Sequence, residues 1–382
     1  MHTKAHGGRI GTLYYRVMAS FFGERIRSAF APPRYLSLPL AGIDISTSGI
    51  KAVRLGQGPH GLLLEGTADE RLPSGAYSDG EIVDRAGVAK TLLAAAKEAG
   101  ISVANVSLPE SKSYLFETTV SGMSKTEWRT AVEQHLDEFV PLPPPETIFD
   151  IVKTGQGEKG ETLIAGIGLA RRIVDDTLSI FDEANVGVQS LEGEMFAAAR
   201  ALLPRGDEST TLIIDVGRST TKISIVVNCI PRFATTVGIG GHALTLAVQK
   251  HFGVTESEAR KVKAERGIVP VPGNEDYLSA MLSTVSAIRD EISRRLEYWQ
   301  GKANESGMHA PVTHAILVGG NASVRGFPEY LEGALKIPVV AGDVFTNLAS
   351  RDTWIPTLDY TESLAYATVI GLALRDDTKP HG

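Results

Sequence analysis

The chain has 382 residues, of which 43% are hydrophobic and 22% are charged, a composition typical of a soluble protein with more than one domain. Its formal net charge of -7 leaves no basic surplus to pair with phosphates, which argues against nucleic acid as the main partner. The single cysteine, Cys229, excludes an intrachain disulfide and a cysteine-cluster metal site, and it fits a reducing cytoplasm. No apolar run approaches the ~20 residues that a membrane-spanning helix needs.

Residues 1–38 form a basic segment in an otherwise acidic chain, because their Lys and Arg side chains face the single acid Glu24. Apolar side chains recur at helical spacing from Ile10 to Ile26. This spacing predicts an amphipathic helix whose cationic face contacts a membrane surface or a partner through residues 9–30. The alternative is a disordered extension or a wrongly chosen start codon, and the sequence leaves both open.

The next elements predict the start of an α/β lobe. An apolar strand ends at Asp44, a turn of Ser, Thr and Gly covers residues 46–49, and an alternating strand follows. A third strand near Leu62, a helix over residues 85–99 and a strand over residues 103–108 come next. The tip of the hairpin offers N–H groups and hydroxyls for a phosphate and one carboxylate for a metal shell.

Residues 110–188 have the pattern of a compact α+β insertion. Apolar positions recur at helical spacing after the N-cap residue Ser124, and a proline-rich stretch at residues 141–145 ends that helix. The predicted elements are strands at 114–119, 148–152 and 162–169 and helices at 125–139 and 173–184.

The second half of the chain repeats the hairpin pattern. Leu212–Val227 begins as an apolar strand that ends at Asp215, turns through a Gly/Ser/Thr stretch and resumes as a strand. Two matched hairpins predict two related lobes that face each other across a nucleotide. A later strand at 314–318 runs into Gly319-Gly320, where a backbone can approach a ligand closely. Helices are predicted at 255–265, 276–302, 327–335 and 364–374.

These motifs, in this order, resemble the phosphate-1, phosphate-2 and adenosine motifs of the actin/Hsp70/sugar-kinase superfamily. The small insertion between the hairpins is similar to that of the PilM family of type IV pilus assembly and, more distantly, of the FtsA division proteins, over about residues 40–375. The resemblance implies an α/β, actin-like (ribonuclease H-like) two-lobed fold with a small inserted α+β domain. The implied segments are a basic extension at 1–38, lobe 1 at 39–110 plus 186–209, the insertion at 111–185, lobe 2 with a return helix at 210–375, and a tail at 376–382.

The resemblance also implies that ATP with Mg²⁺ lies between the lobes. Asp44 and Asp215 are the predicted metal residues, acting through water, and capping of their own turns is the alternative role. Ser46 stands where the family pattern usually has glycine, so its side chain is expected to narrow the space beside the phosphates. Ordinary turn chemistry is the alternative for the other turn residues. The predicted nucleotide-binding residues are Ser46, Thr47, Ser48, Lys51, Gly217, Ser219, Thr220, Thr221, Lys222, Gly240, Gly241, Lys263, Gly319, Gly320 and Arg325.

Three further side chains are assigned by their positions. Lys263 lies on the helix that contacts the ribose or adenine in this superfamily, but Arg260 stands where an acid normally precedes it, and an exposed lysine is the alternative. Arg325 is placed to stack on adenine, with a surface arginine as the alternative. Glu194 is the predicted water-orienting residue and Glu192 the second choice, although an acid in this place also helps to start a helix. The chain is therefore expected to be at most a slow ATPase.

The resulting hypothesis is a cytoplasmic ATP-binding scaffold, peripheral to the inner membrane, in a pilus assembly or related secretion platform. The resemblance implies binding of the N-terminal peptide of a PilN-like inner-membrane protein in a groove of lobe 1 and the insertion. Other platform proteins, the assembly ATPase and further copies of the chain are additional partner classes. The alternatives are a small-molecule kinase of the superfamily, for which we find no convincing catalytic Asp between the lobes, and an FtsA-like filament protein.

Overall fold

The computed structural model describes residues 39–121, 124–157, 160–306 and 310–375, without the side chains of residues 302–306. The predictions for residues 1–38 and 376–382 lie outside the described residues. The strands are β1 (Leu40–Ser46), β2 (Gly49–Gly58), β3 (Gly61–Glu70), β4 (Tyr77–Ser78), β5 (Glu81–Ile82), β6 (Val103–Leu108), β7 (Tyr114–Val120), β8 (Thr147–Gln156), β9 (Thr162–Ala170), β10 (Gly187–Gly193), β11 (Thr210–Val216), β12 (Thr221–Val227), β13 (Ile230–Val237), β14 (His314–Val318) and β15 (Val339–Ala341).

The helices complete the element order. They are α1 (Arg85–Ala99), α2 (Lys125–Gln134), α3 (Leu136–Phe139), α4 (Arg171–Glu183), α5 (Glu194–Leu202), α6 (Gly241–Phe252), α7 (Glu256–Arg266), α8 (Glu275–Ser306), α9 (Phe327–Leu335), α10 (Tyr360–Ser363) and α11 (Ala367–Ala373). Short 3₁₀ turns lie at Glu110–Lys112, Pro144–Glu146 and Leu364–Tyr366.

Two five-stranded sheets form the two lobes, and each contains one of the predicted hairpins. The sheet of lobe 1 has the order β10-β6-β1-β2-β3, and that of lobe 2 has the order β13-β12-β11-β14-β15. In each sheet the hairpin's first strand also pairs in parallel with a later strand, β6 in lobe 1 and β14 in lobe 2. The carboxyl ends of these parallel strands lie at the same edge as the hairpin tips, so each sheet gathers its turn residues at one edge.

The register of the two hairpins is matched. Asp44 lies opposite Lys51 in the β1–β2 pair, and Asp215 lies opposite Lys222 in the β11–β12 pair. Leu212 and its two successors are fully buried, as expected for the apolar run that precedes the acid. Each sheet thus carries an acid and a lysine on neighbouring strands just before its tip.

The insertion is a separate three-stranded antiparallel sheet with the order β7-β9-β8. Helix α2 begins at a capping box in which Ser124 and Glu127 exchange side-chain and backbone hydrogen bonds, as predicted for the cap. The helix predicted over residues 125–139 is divided, because His135 leaves the helical conformation with φ -123° and ψ 21°. The insertion also contacts lobe 2, since Glu117 of β7 pairs with Arg232 of β13.

The core between the sheets contains α5 and α11, which pack on each other, and α11 also packs on β1. The predicted final helix of residues 364–374 begins as a 3₁₀ turn and becomes α helical at Ala367. Its close approach depends on glycine: a Cβ on Gly371 would lie 1.7 Å from the carbonyl oxygen of Ala197, and one on Gly42 would lie 2.4 Å from that of Val369. The end of the chain therefore stabilises the base of the hairpin in lobe 1.

Candidate functional site

One cavity of about 880 Å³ lies between the tips of the two hairpins. The volume is in the range of small-molecule and cofactor sites. Most of the residues predicted from the sequence line it: Asp44, Ser46, Thr47, Ser48, Lys51, Glu194, Asp215, Gly217, Ser219, Thr220, Lys222, Gly241, Lys263, Gly319 and Gly320.

The hairpin tips meet directly across the cavity. The hydroxyl of Thr47 donates to Oγ of Ser219 at 3.2 Å, which links lobe 1 to lobe 2. Asp44 is held from within its own lobe, because Ser107 of β6 donates to its Oδ1 at 2.6 Å. Asp44 and Asp215 thus present carboxylates from opposite lobes to one cavity, an arrangement that can hold a divalent cation through its water shell.

A largely buried lysine, Lys222, balances the acids on the lobe 2 side. Nζ of Lys222 lies 2.8 Å from Oε2 of Glu194 and 3.8 Å from Oδ2 of Asp215. Burial alone lowers the pKa of Lys222, but Glu194, Asp215 and Asp44 together raise it above its ordinary value. Burial raises the pKa of Asp215, and Lys222 opposes that rise. The ammonium of Lys222 is therefore firmly charged and pairs with two carboxylates at once.

Glu194 is anchored beside the start of the insertion. Its Oε2 accepts the backbone N–H of Glu110 at 3.1 Å, and the carboxylate of Glu110 accepts the N–H of Met195 at 3.3 Å. Both acids are buried, and burial raises the pKa of both, that of Glu110 to about 7. Glu194 also pairs with Lys222. Its carboxylate therefore connects lobe 1 with Lys222 of lobe 2 and with Glu110 at the start of the insertion.

Lys51, the counterpart of Lys222, has a different partner. Its Nζ lies 3.1 Å from Oδ2 of Asp69 on β3 and 5.6 Å from the ring centroid of Tyr366. The two lysines are thus equivalent in register but not in environment. Lys51 pairs with Asp69, and Ser107 is the residue that hydrogen-bonds to the carboxylate of Asp44.

Helix α7 contributes a buried lysine to the far wall of the cavity. Lys263 donates to Oδ1 of Asn321 at 2.7 Å and to the carbonyl oxygen of Gly241 at 3.2 Å. Asn321 in turn donates to the carbonyl oxygen of Gly217 at 2.9 Å, which ties α7 to the second hairpin. Burial, with a smaller contribution from Arg260, lowers the pKa of Lys263 to about 8. The alternative of an exposed lysine is wrong, since Lys263 is 9% exposed.

Gly319 fills a place that no side chain could occupy. Its φ is +94°, and a Cβ there would lie 2.4 Å from Oδ1 of Asp215 and 2.6 Å from the carbonyl oxygen of Val216. The glycine lets the turn after β14 lie directly against the acid of the second hairpin. The sequence analysis expected the Gly-Gly pair to approach a ligand, which stays a prediction; the approach seen here is to Asp215 and Val216 of the same chain.

Three predicted residues lie outside the cavity wall. The hydroxyl of Thr221 is buried and donates to the carbonyl oxygen of Ile239 at 2.7 Å. Gly240 packs against the second hairpin, where a Cβ would lie 2.7 Å from the carbonyl oxygen of Arg218. Arg325 is exposed and donates to the carbonyl oxygen of Glu265 at 3.1 Å, and its stacking on adenine stays a prediction. Each of the three residues thus contacts backbone atoms of a neighbouring segment and does not line the cavity.

The second choice for hydrolysis, Glu192, is also committed elsewhere. Its carboxylate accepts from Nη1 of Arg200 at 2.7 Å and lies 3.9 Å from Nη1 of Arg375. Glu192 therefore stabilises the return into lobe 1 and the end of α11, while Glu194 is the acid that lines the cavity.

Sequence reasoning missed several residues that shape the site. Asn321 directly follows the Gly-Gly pair of the third motif, so its place in the motif was a usable signal. Ser107 is the penultimate residue of β6, which is parallel to the first strand of the first hairpin, and this also places it near Asp44. The role of Glu110 could not be predicted from the sequence, because it depends on a contact with Glu194, which is far away along the chain.

Among the described residues, no helix is long and apolar enough to cross a membrane. The same part of the chain holds no group of three or more His, Cys, Asp or Glu side chains placed to bind a metal ion directly. The predicted metal role of Asp44 and Asp215 is of another kind, since it acts through water.

Comparisons with known proteins agree with this architecture. The sequence profile of the family described as "Type IV pilus assembly protein PilM" matches residues 42–377. The cell division protein FtsA of Neisseria meningitidis serogroup B (strain ATCC BAA-335 / MC58) is 22% identical over 233 residues, or 53% of this chain and 56% of that protein. The chain thus spans about half the length of this curated relative.

Two solved structures illustrate the fold. The "PilM-PilN type IV pilus biogenesis complex" matches with a TM-score of 0.69 and 19% identity, covering 87% of this chain and 97% of that chain. MreB5 of Spiroplasma citri bound to ADP matches with a TM-score of 0.53 and 14% identity, covering 88% of this chain and 95% of that chain. At these identities the likeness shows the fold, and the predicted α/β, actin-like architecture is confirmed. Since the family profile spans nearly all of the described chain, this protein belongs to the PilM family of type IV pilus assembly proteins.

Proposed function

We propose that the chain is an ATP-binding scaffold of a type IV pilus or related secretion platform, and that ATP with Mg²⁺ binds between the two hairpins. The observation that carries the proposal is the convergence of Asp44 and Asp215, on matched hairpins of opposite lobes, on one cavity. A cytoplasmic protein that lies at the inner membrane through its partners is the setting that the family suggests.

The residues present fit a nucleotide with its metal. The cavity has space for one, and Gly319 leaves room for the turn of β14 to approach Asp215 where a Cβ would collide. When bound, the metal–nucleotide would supply a charged polyphosphate chain that both lobes can contact. Structures of the same fold have been determined with ADP and with AMPPNP, in MreB5 of Spiroplasma citri.

Each hairpin has a distinct set of roles in this proposal. Asp44 and Asp215 orient the water shell of the metal from either side. The hydroxyls of Thr47 and Ser219, which already meet at 3.2 Å, donate to phosphate oxygens. Lys222 adds a fixed positive charge beside Asp215.

We expect binding with slow turnover. Glu194 is the acid best placed to orient a water, but its carboxylate already accepts from Glu110 and pairs with Lys222. Both contacts involve Oε2. Burial raises the pKa of Glu194, but the ion pair with Lys222 lowers it, which makes the carboxylate a weaker acceptor for the proton of an attacking water.

Isothermal titration calorimetry with and without Mg²⁺ tests the nucleotide site. We expect wild-type protein to bind ATP with Mg²⁺ and Asp215→Ala to lose affinity about tenfold or more, because a carboxylate that orients the water shell of the metal is removed. Asp137→Ala, an exposed aspartate of the insertion, is the control and should match the wild type. Equal affinity in wild type and Asp215→Ala would remove the proposed site.

The partner that we propose is the N-terminal peptide of a PilN-like inner-membrane protein. The support is family membership together with the similarity to a structure that contains PilM and PilN. We place the peptide in a groove between lobe 1 and the insertion; other platform proteins, the assembly ATPase and further copies of the chain are additional proposed partners.

Fluorescence anisotropy with a labelled peptide tests this partner. The peptide should be the cytoplasmic N-terminus of a PilN-like single-pass inner-membrane protein, with a scrambled peptide as the control. We expect saturable binding of the native peptide alone. Equal binding of both peptides, or of neither, would contradict the partner assignment.

A further inference from the structure

One wall of the cavity is strongly basic. Arg218 comes from the second hairpin's tip, His242 from the first turn of α6, and Arg260 and Lys263 from one face of α7. All four line the cavity, although these elements are separate in sequence. A cluster assembled in this way is a feature of the folded cavity rather than the solvated face of a single helix.

The acids nearby do not neutralise this wall. In the described part of the chain, Glu256 is the one carboxylate in ion-pair contact with any of the four residues. Its Oε1 lies 2.5 Å from Arg260, 3.5 Å from Arg218 and 3.9 Å from Nδ1 of His242. One carboxylate is thus shared among three cationic or ionisable groups, and Nδ1 of His242 is buried without a hydrogen-bond partner.

Lys263 is the most deeply placed of the four. The residue is 9% exposed, and its ammonium contacts neutral oxygens of Gly241, Thr245 and Asn321. A buried ammonium normally has a carboxylate or another anion beside it, because neutral acceptors only partly replace its hydration. The lowered pKa of about 8 agrees with the absence of such an anion and still leaves Lys263 mostly protonated at pH 7.

The basic wall lies close to the hairpin that we propose for the phosphate chain. Lys263 reaches the carbonyl oxygen of Gly217 through Asn321 in two hydrogen bonds of 2.7 Å and 2.9 Å. The backbone N–H groups of Gly241 and His242 donate to Gly217 and Arg218 at 2.9 Å and 2.8 Å, which fixes α6 against the same turn. A ligand of nucleotide size with its 5′ phosphates at the hairpin tips can therefore place a second anionic group against this wall.

We propose that the cavity takes nucleotides that carry a phosphate on a ribose hydroxyl in addition to their 5′ phosphate chain. The proposal rests on the nucleotide site argued above and names the class of ligand it prefers. Arg260 is the residue best suited to the second phosphate, since its guanidinium can shift from Glu256 to a dianion with two parallel hydrogen bonds. Lys263, which lines the same cavity, adds a second positive charge for this phosphate.

Calorimetry with three matched ligands tests the proposal. AMP, adenosine 3′,5′-bisphosphate and adenosine 2′,5′-bisphosphate are titrated at pH 7 into wild type, Arg260→Gln and Lys261→Gln, with ATP as a reference ligand for wild type. The measured quantity is the ratio of the bisphosphate affinity to the AMP affinity in each protein. Lys261 is the control, since it is exposed on the same helix, outside the cavity wall, and its substitution removes the same charge.

We expect one of the two bisphosphates to bind wild type about tenfold more tightly than AMP, which corresponds to about 1.4 kcal/mol. That ratio should fall towards one in Arg260→Gln and persist in Lys261→Gln. A wild-type affinity ratio near one, or an unchanged ratio in Arg260→Gln, would overturn this inference. If ATP still bound wild type in that case, the proposed function would be unaffected. Failure of every nucleotide, ATP included, to bind wild type would overturn both.

Discussion

Three charged side chains form the innermost contacts of the site: Glu110 and Glu194, which are buried, and Lys222, which is largely buried. Their positions follow from chain topology, since Glu110 and Glu194 lie just beyond the ends of the adjacent parallel strands β6 and β10. Each acid accepts a backbone N–H from the other's segment, and Lys222 neutralises one of the two. Burial raises the pKa of both acids, and Lys222 opposes that rise at Glu194 and at Glu110.

Glu110→Gln is expected to change the pH dependence of stability. The pKa of Glu110 is about 7 in the folded protein and 4.5 as the ordinary value, so between these pH values the folded state keeps a proton that the unfolded state releases. The unfolding free energy of wild type therefore falls as pH rises through this window, and the uncharged Gln avoids that loss. Measured by urea unfolding, the stability of the variant relative to wild type should rise by up to about 3 kcal/mol between about pH 5 and about pH 8.

The same substitution at the exposed Glu133 is the matched control for this series. If the difference in unfolding free energy between Glu110→Gln and wild type did not change with pH, Glu110 would not titrate between these pH values. The carbonyl oxygen of Gln can still accept from Met195, so the variant keeps the local hydrogen bond.

At the residue scale, the sequence predicted the acids better than their partners. Asp44 and Asp215 could be found because each ends an apolar strand before a hydroxyl-rich turn, which is a local signal. The contacts of Lys263 with Asn321, and of Arg325 with Glu265, depend on how α7 packs beside the turn after β14. Those contacts join residues far apart in sequence, so spacing alone could not separate the lysine in the cavity from the arginine outside it.

At the element scale, the close packing of α11 on α5 holds the base of the site. The sequence predicted the helix at the end of the chain but not its dependence on Gly371, because a glycine within an apolar run has no unique meaning. The division of the predicted helix at His135 was missed for a similar reason, since the apolar spacing continues through the break.

Gly371→Ala is expected to lower the unfolding free energy by about 1–3 kcal/mol or more. The new Cβ would lie 1.7 Å from the backbone oxygen of Ala197, and backbone cannot move aside as a flexible side chain can. Gly333→Ala on α9 is the control, because no heavy atom lies within 4 Å of its Cβ position, and alanine within a helix gains about 0.5–1 kcal/mol. Similar unfolding midpoints in urea for the two variants would contradict this packing.

At the scale of the whole molecule, two sheets with matched hairpins place their turns on a shared cavity. The α/β architecture could be predicted because both hairpins and the Gly-Gly turn are local patterns that recur in a fixed order. The insertion's contact with lobe 2, through Glu117 and Arg232, could not, since it links two edge strands that the sequence does not pair.

The central claim is that the two hairpins hold one nucleotide and its metal together. The most direct measurement is anomalous diffraction from crystals grown with Mn²⁺ and AMPPNP, which locates the metal without assumptions about the protein. The account predicts one manganese peak between the carboxylates of Asp44 and Asp215, linked to both through water, with the phosphate chain between the tips. A nucleotide bound elsewhere, or a metal that contacts the residues of one lobe alone, would contradict it.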